Sequence, residues 1–339
     1  MKNIYYKYAQ EIFNIHSPSG YTKNIILRIK ELLADLGFES EITNKGNLKV
    51  EVAGLDNKVV ATSAHVDTLG LMVRSITGNG ELKVTNLGGP LIPSLDGEYC
   101  VVKTRKCAEF SGTILSTSPS VHVFKDAASK PRDLDNIVIR LDEEVSSKKD
   151  VENLGIQNGD YIFIDPKFVI TPNDFIKSRF IDDKGSVCCL LTILEKISKK
   201  EIQLAHKTIF YFVVHEEVGH GAATVDERIE EFVTVDMGCV GLDLAGSEYK
   251  VSIAAKDSGG PYDYELTTKL VNLANENNVD YVVDIFPFYG SDIGAAWRSG
   301  KDLKGALIGP GVAASHSMER THYKAIENTI KLLVAYLTN

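Results

Sequence analysis

Three runs of this chain, VVATSA (59–64), TIFYFVV (208–214) and FVTVD (232–236), are apolar or β-branched almost without a break. A strand with one wet face alternates apolar and polar residues, whereas an unbroken run belongs to a strand covered on both faces. Such strands need helices above and below the sheet. The sequence supplies them in GSVCCLLTILEKISKK (185–200) and in the closing YKAIENTIKLLVAYLTN (323–339). Strand, helix, strand predicts an α/β fold with a mixed, largely parallel sheet covered by helices. The opening MKNIYYKYAQEIFNIHSPSG mixes apolar with polar residues and reads as an amphipathic helix ended by Pro18 and Gly20, not as a signal peptide.

Between residues 70 and 165 the pattern changes to short segments, LMVRSI, GELKVTNL, EYCVVKT, FSGTILST, NIVIRLD and NGDYIFID, separated by Gly, Asn, Asp and Pro. Several alternate apolar and polar residues, as half-buried antiparallel strands do, and their spacing predicts a small β-barrel-like module. The expected organisation is a discontinuous catalytic domain, 1–69 with 166–339, interrupted by a β-rich insertion at 70–165.

A net charge of −9 argues against nucleic acid or an anionic membrane as partner. No stretch approaches the roughly 18 apolar residues of a membrane span. Five cysteines, Cys100, Cys107, Cys188, Cys189 and Cys239, are odd in number and lack CxxC spacing, which argues against a disulfide framework and a thiolate zinc site and predicts a reducing, cytoplasmic setting.

The chemistry-bearing residues fall at the ends of the buried runs. His65 and Asp67 close the first, Glu216 and Glu217 the second and Asp236 the third. Ligands of open α/β sheets gather outside the carboxyl ends of the strands. HEEVGH invites comparison with the zincin motif HExxH, but its histidines are five apart rather than four and would diverge on a helix. His65 and Asp67, two apart, face one side of a strand, so the carboxylate is expected to accept the ring N–H and leave the other nitrogen for metal. SRFIDDKGS puts Asp182 and Asp183 at a helix start, where one aspartate suffices as a cap and a second is available to bridge two metals. Of the adjacent Glu216 and Glu217, one can bind metal while the other acts as general base. His316, in GPGVAASHSMERTH, completes a candidate set; His322 is an alternative, with His215 and His220 spare. Nitrogen and oxygen donors without thiolates suit two zinc or cobalt ions about 3.5 Å apart.

The motifs SAHVDTLGLMV, IKSRFIDDKGSV, HEEVGHGA, TVDMG and GPGVAASHSMERTH, in this order, resemble the M42 metallopeptidases, which include glutamyl, deblocking and tetrahedral aminopeptidases. The resemblance runs from about residue 10 to the C-terminus. It implies His65 and His316 as terminal ligands of two divalent ions, Zn2+ or Co2+, with Asp182 bridging and Glu217 and Asp236 each completing one metal. Glu216 is then the general base acting on a metal-bridging water, and Asp67 the partner of His65. The resemblance further implies a cis peptide after Asp182, a dimerisation role for the inserted module, assembly up to dodecamers and short peptides as substrates. Asp292, in FPFYGSDIGAA, falls where the family lines its substrate site, although an Asp at a helix start is an equal reading. The expected function is an aminopeptidase. Its rivals are a deacylase or dipeptidase on the same metals, a glycoside hydrolase, and an inert peptide-binding shell protein.

Overall fold

The computed structural model describes residues 1–339 and divides into two compact units, 1–68 with 167–339 and 69–166. The larger unit is built on a 13-stranded sheet. At its centre Lys207–Val213, Val59–His65, Glu231–Val235 and Lys304–Ala313 lie side by side, all parallel. Leu48–Val52 pairs antiparallel outside Lys207–Val213, and Val251–Asp257 antiparallel to Lys304–Ala313, with Tyr281–Ile285 at the edge beyond it. The sheet is thus mixed around a parallel core, as the unbroken apolar runs predict.

The reason for those runs is visible in how successive residues divide between the faces. Val60, Ala64, Phe210, Phe212, Val233, Val235 and Ile308 belong to one apolar cluster, shared with the helices Lys2–Ile12, Lys23–Asp35, Ile181–Ser198, Tyr264–Glu276 and Tyr323–Leu337. Their sequence neighbours Val59, Ala61, Ile209, Tyr211, Val213, Phe232 and Leu307 belong to a second cluster on the opposite face, shared with the short helix Asp292–Arg298. Period-two geometry sends alternate side chains to opposite faces, so a sheet covered on both sides needs apolar residues at every position. The first helix buries Tyr5, Tyr8, Ala9 and Ile12, the i, i+3, i+4, i+7 stripe of an amphipathic helix.

The smaller unit is a closed six-stranded barrel of Gly70–Ile76, Leu82–Leu87, Ile137–Leu141, Glu109–Ser116, Tyr99–Lys103 and Tyr161–Ile164, in that order around the wall. Each strand matches one of the punctuated segments of the sequence, two of them, Gly70–Ile76 and Glu109–Ser116, starting one residue earlier. Closure leaves no free sheet edge. No helix in either unit is long and apolar enough to cross a membrane.

Close packing of the main chain fixes where the central strands end. Gly309 lies so near the neighbouring strand that a Cβ there would sit 1.2 Å from the carbonyl oxygen of Asp236. Gly309→Ala is therefore expected to destabilise the protein by about 3 kcal/mol or more, as overpacking in a rigid core does. Gly78→Ala, at a site with nothing within 4 Å, is expected to change stability little. Urea denaturation checks the contrast, and equal midpoints for the two variants would contradict it.

Candidate metal centre

The covered faces of the central strands carry apolar side chains and a few hydroxyls, such as the bonded pair Ser63 and Thr234, and the strands deliver their imidazole and carboxyl groups at one rim. His65 is the last residue of its strand and Asp67 follows two later; Glu216 and Glu217 come just past Lys207–Val213, Asp236 just past Glu231–Val235, and His316 three beyond Lys304–Ala313. Asp182 reaches the same place from the first turn of Ile181–Ser198, where Asp182 and Asp183 are non-helical and the peptide between them is cis. A carboxylate at a helix N-terminus meets the positive end of the helix dipole.

Asp182 is divided between two histidines. Its Oδ1 lies 2.9 Å from His65 Nε2, and its Oδ2 lies 3.5 Å from His316 Nε2, which is in turn 3.7 Å from Glu217 Oε2. Two groups of donors result, His65, Asp182 and Asp236, and Asp182, Glu217 and His316, with the atoms of each group within 4.8 Å of one another. Glu216 belongs to neither group but stands beside them, its Oε2 3.8 Å from His65 Nε2. Each group could hold a metal ion, and the two would share Asp182.

Asp67 acts differently from the sequence expectation. The His65 Nδ1–H is directed at the Asp67 backbone oxygen, 2.9 Å away, while the nearer carboxylate oxygen is 3.7 Å off. The Asp67 carboxylate instead accepts the N–H of Glu216 at 3.1 Å, the N–H of Glu217 at 3.3 Å and the Ser19 hydroxyl at 2.5 Å. It therefore fixes the glutamate turn, and a backbone carbonyl fixes the imidazole. That turn is not helical: Gly219 N–H donates to Glu216 O at 2.7 Å, and both His215 and Gly219 have positive φ. The His215 and His220 rings stack on each other at 5.1 Å and join neither donor group. His322 caps the last helix, its Nδ1 accepting the Lys324 N–H at 3.0 Å, and its ring meets Phe175 edge-on. Asp292 begins its helix, as the plainer reading of the sequence expects, yet its Oδ1 accepts the Ala222 N–H at 2.9 Å, which ties it to the segment just beyond the glutamates.

Two further carboxylates contribute as much: Asp183, which the sequence places beside Asp182 at the helix start, and Glu319, which sequence reasoning passed over. Asp183 accepts the His65 N–H at 3.0 Å through Oδ2. Glu319, 1% exposed, accepts the N–H groups of Ile181, Asp182 and His316 at 2.6, 3.0 and 3.1 Å. Both lie inside quoted motifs, but their work is hydrogen bonding to the main chain of distant segments, which residue type does not signal.

The electrostatics of the cluster call for cations. Burial raises Glu216 well above the usual carboxylate range, with Asp236, Asp292 and Glu217 adding to the shift. Glu217 is pushed up to about 8 and Asp236 to about 7, in each case by burial and then by the neighbouring Asp182. Asp182 itself is lowered: burial opposes its charge, but the His316 and His65 imidazoles outweigh it. Burial likewise disfavours a charged His65, and Asp182, Glu216 and Asp183 more than reverse this, leaving it raised. One oxygen of Glu217 is buried with no hydrogen-bond partner. Packed carboxylates, two imidazoles and an orphaned oxygen form a set of hard donors that divalent cations would satisfy.

Comparison with known proteins agrees with this geometry. The family model for M42 glutamyl aminopeptidase matches residues 46–332. The chain belongs to the M42 peptidase family. Members are metal-dependent peptide hydrolases, and the chain is an enzyme of this kind. It is 43% identical over 330 residues to YhfE of Bacillus subtilis (strain 168), covering 97% of this chain and 95% of that one. Its fold is similar to the TET aminopeptidase of the marine sediment archaeon Thaumarchaeota archaeon SCGC AB-539-E09, with a TM-score of 0.89, 20% identity and coverage of 100% and 97%. It is also similar to PhTET1-12s, solved as a dodecamer, with a TM-score of 0.86, 24% identity and full coverage of both chains.

The raised carboxyl groups make the metal-free protein sensitive to pH. Glu217 and Asp236 bind protons more tightly folded than unfolded, so their contribution to stability is complete below about pH 4 and is lost as the pH rises through 7 and 8. The melting temperature of chelator-treated protein is expected to fall from about pH 5 to about pH 8, and added Zn2+ or Co2+ to raise it more at the higher pH. Scanning calorimetry at both values is the check; equal stabilisation by metal at both would contradict the proton competition.

Proposed function

We propose that the protein is a two-metal aminopeptidase that removes N-terminal residues from short peptides. The observation that carries this is the division of Asp182 between the His65 and His316 groups, with Glu216 alongside and outside both. In this reading His65 and Asp236 hold one ion, His316 and Glu217 the other, and Asp182 both. When bound, the two divalent cations, zinc or cobalt, would supply Lewis-acid polarisation of the scissile carbonyl and lower the pKa of the attacking water.

The residues of the chain do the rest. The Glu216 carboxylate takes the proton from the water and returns it to the amine that leaves when the C–N bond breaks. Asp67 supports this by gripping the backbone N–H groups of Glu216 and Glu217, so that the base and the neighbouring ligand keep their relative aim. The His65 ring is held by the Asp67 carbonyl, which fixes the tautomer that presents Nε2 to the site. Asp292, buried and pushed up to about 6 chiefly by that burial, lines the Glu216 side and is proposed as a substrate contact for the free α-amino group.

The inserted barrel is proposed as a dimerisation module and the working form as a homo-oligomer built from dimers, up to the dodecamer of its structural relatives; the kinship to tetrahedral assemblies supports this. A cytoplasmic location is proposed from the unpaired cysteines, all free in the structure.

Glu216→Gln is expected to lower kcat on aminoacyl p-nitroanilides by about 10²- to 10⁴-fold while leaving bound metal unchanged, because the residue acts on the proton and not on the ion. Elemental analysis beside the rate assay separates the two effects, and full turnover by this variant would end the proposal. Chelation is expected to abolish activity and added Zn2+ or Co2+ to restore it. Running the same assays on dipeptides and N-acyl amino acids discriminates the deacylase or dipeptidase reading: preference for either over longer unblocked peptides would replace the aminopeptidase.

A further inference from the structure

We propose that Glu319 is a positioning residue for one cation site only, the one built on His316. The inference rests on the two-cation reading above. Glu319 opens the short strand Glu319–His322, where it stands opposite Ser178, and its side chain is turned inward and buried. Its Oε2 accepts the N–H groups of Ile181 and Asp182, and its Oε1 accepts the N–H of His316. One carboxylate therefore ties together two segments far apart in sequence, one carrying the shared ligand and one carrying the last histidine.

The two histidines depend on this carboxylate to different degrees. His65 sits at the end of a central strand, register-paired with Val213, with its N–H on Asp183 and its ring on the Asp67 carbonyl. None of these supports involves Glu319. His316 lies past the end of its strand at φ 62, two residues after Ala314 at φ 59. Residues with a Cβ seldom adopt this left-handed conformation unless the surroundings hold it. The bond from the His316 N–H to Glu319 is such a hold, and it aims the imidazole toward Asp182 and Glu217. At the start of Ile181–Ser198 the Glu319 carboxylate is buried and faces the Asp182 charge, and the N–H groups of the first turn that it accepts offset both costs.

Glu319→Gln tests this selectively. The amide keeps one oxygen, which can go on accepting from Ile181 and Asp182, but sets its NH2 against the His316 N–H, donor facing donor. Full-length protein stripped with chelator is titrated with Zn2+ by isothermal calorimetry and with Co2+ by visible absorption. The wild-type chain is expected to take up two ions. The variant is expected to hold the first unchanged and to bind the second about 10- to 100-fold more weakly, matching the pattern of His316→Ala. Circular dichroism reports whether it folds. Should it not, Glu319→Asp, which keeps the charge but withdraws the carboxylate by one methylene, is expected to give the same loss of the second ion. Two ions at wild-type affinity in both variants would overturn the inference, and so would equal weakening of both ions, the mark of a general structural role. A wild-type chain that binds fewer than two ions overturns the two-cation reading itself, a result obtained before any variant is compared.

Discussion

The arrangement of the whole rim follows from one constraint: carboxylates buried side by side repel, and Asp182 is the point at which that repulsion is relieved. Its two oxygens face two imidazoles from opposite ends of the sequence, and the shift of Asp182 is downward while those of Glu216, Glu217 and Asp236 are upward. Two histidines do not compensate the remaining charge. Cations would, and the oxygens whose mutual repulsion makes the cluster costly are the hard donors that would hold them.

A second tier of carboxylates makes this first tier possible. Asp67, Asp183, Glu319 and Asp292 all accept backbone N–H groups, those of Glu216 and Glu217, of His65, of Ile181, Asp182 and His316, and of Ala222. Main-chain donors bond these buried acids without spending the side chains of the two donor groups, though one oxygen of Asp183 is left without a partner. Asn47 adds a neutral clamp, accepting the Val214 N–H and donating to the Gly221 carbonyl on either side of the glutamates. The loop that carries Glu216 and Glu217 is thus held from the main chain at several points, which is what the proposed base and ligand require.

Much of this was legible in the sequence, for physical reasons. The sheet could be read because burial on both faces leaves the runs 59–64 and 208–214 apolar but for hydroxyl-bearing residues such as Thr62, Ser63 and Thr208, and the barrel because its strands are short and bounded by turn residues. The five donors could be read as candidates because imidazole and carboxyl groups at the ends of apolar runs have few other reasons to be there. Residue type says nothing, however, about which of two atoms in one residue makes a contact. Asp67 was expected to hold His65 through its carboxylate and does so through its carbonyl, because the carboxylate accepts the N–H groups of Glu216 and Glu217 in the turn after Lys207–Val213. His316 and His322 were alike in sequence; only the turn after Lys304–Ala313 and the cap of the final helix set them apart. Glu319 was invisible because its partners are main-chain amides whose positions exist only in the folded chain.

The donors come from segments that begin at His65 and end at His316, with the entire barrel sequence threaded between the first and the rest. No stretch of local chain contains even one complete group of three. A growing polypeptide consequently cannot assemble either donor group until nearly all of these residues have emerged and closed on one another, so that latency during synthesis is inherent in the order of the residues.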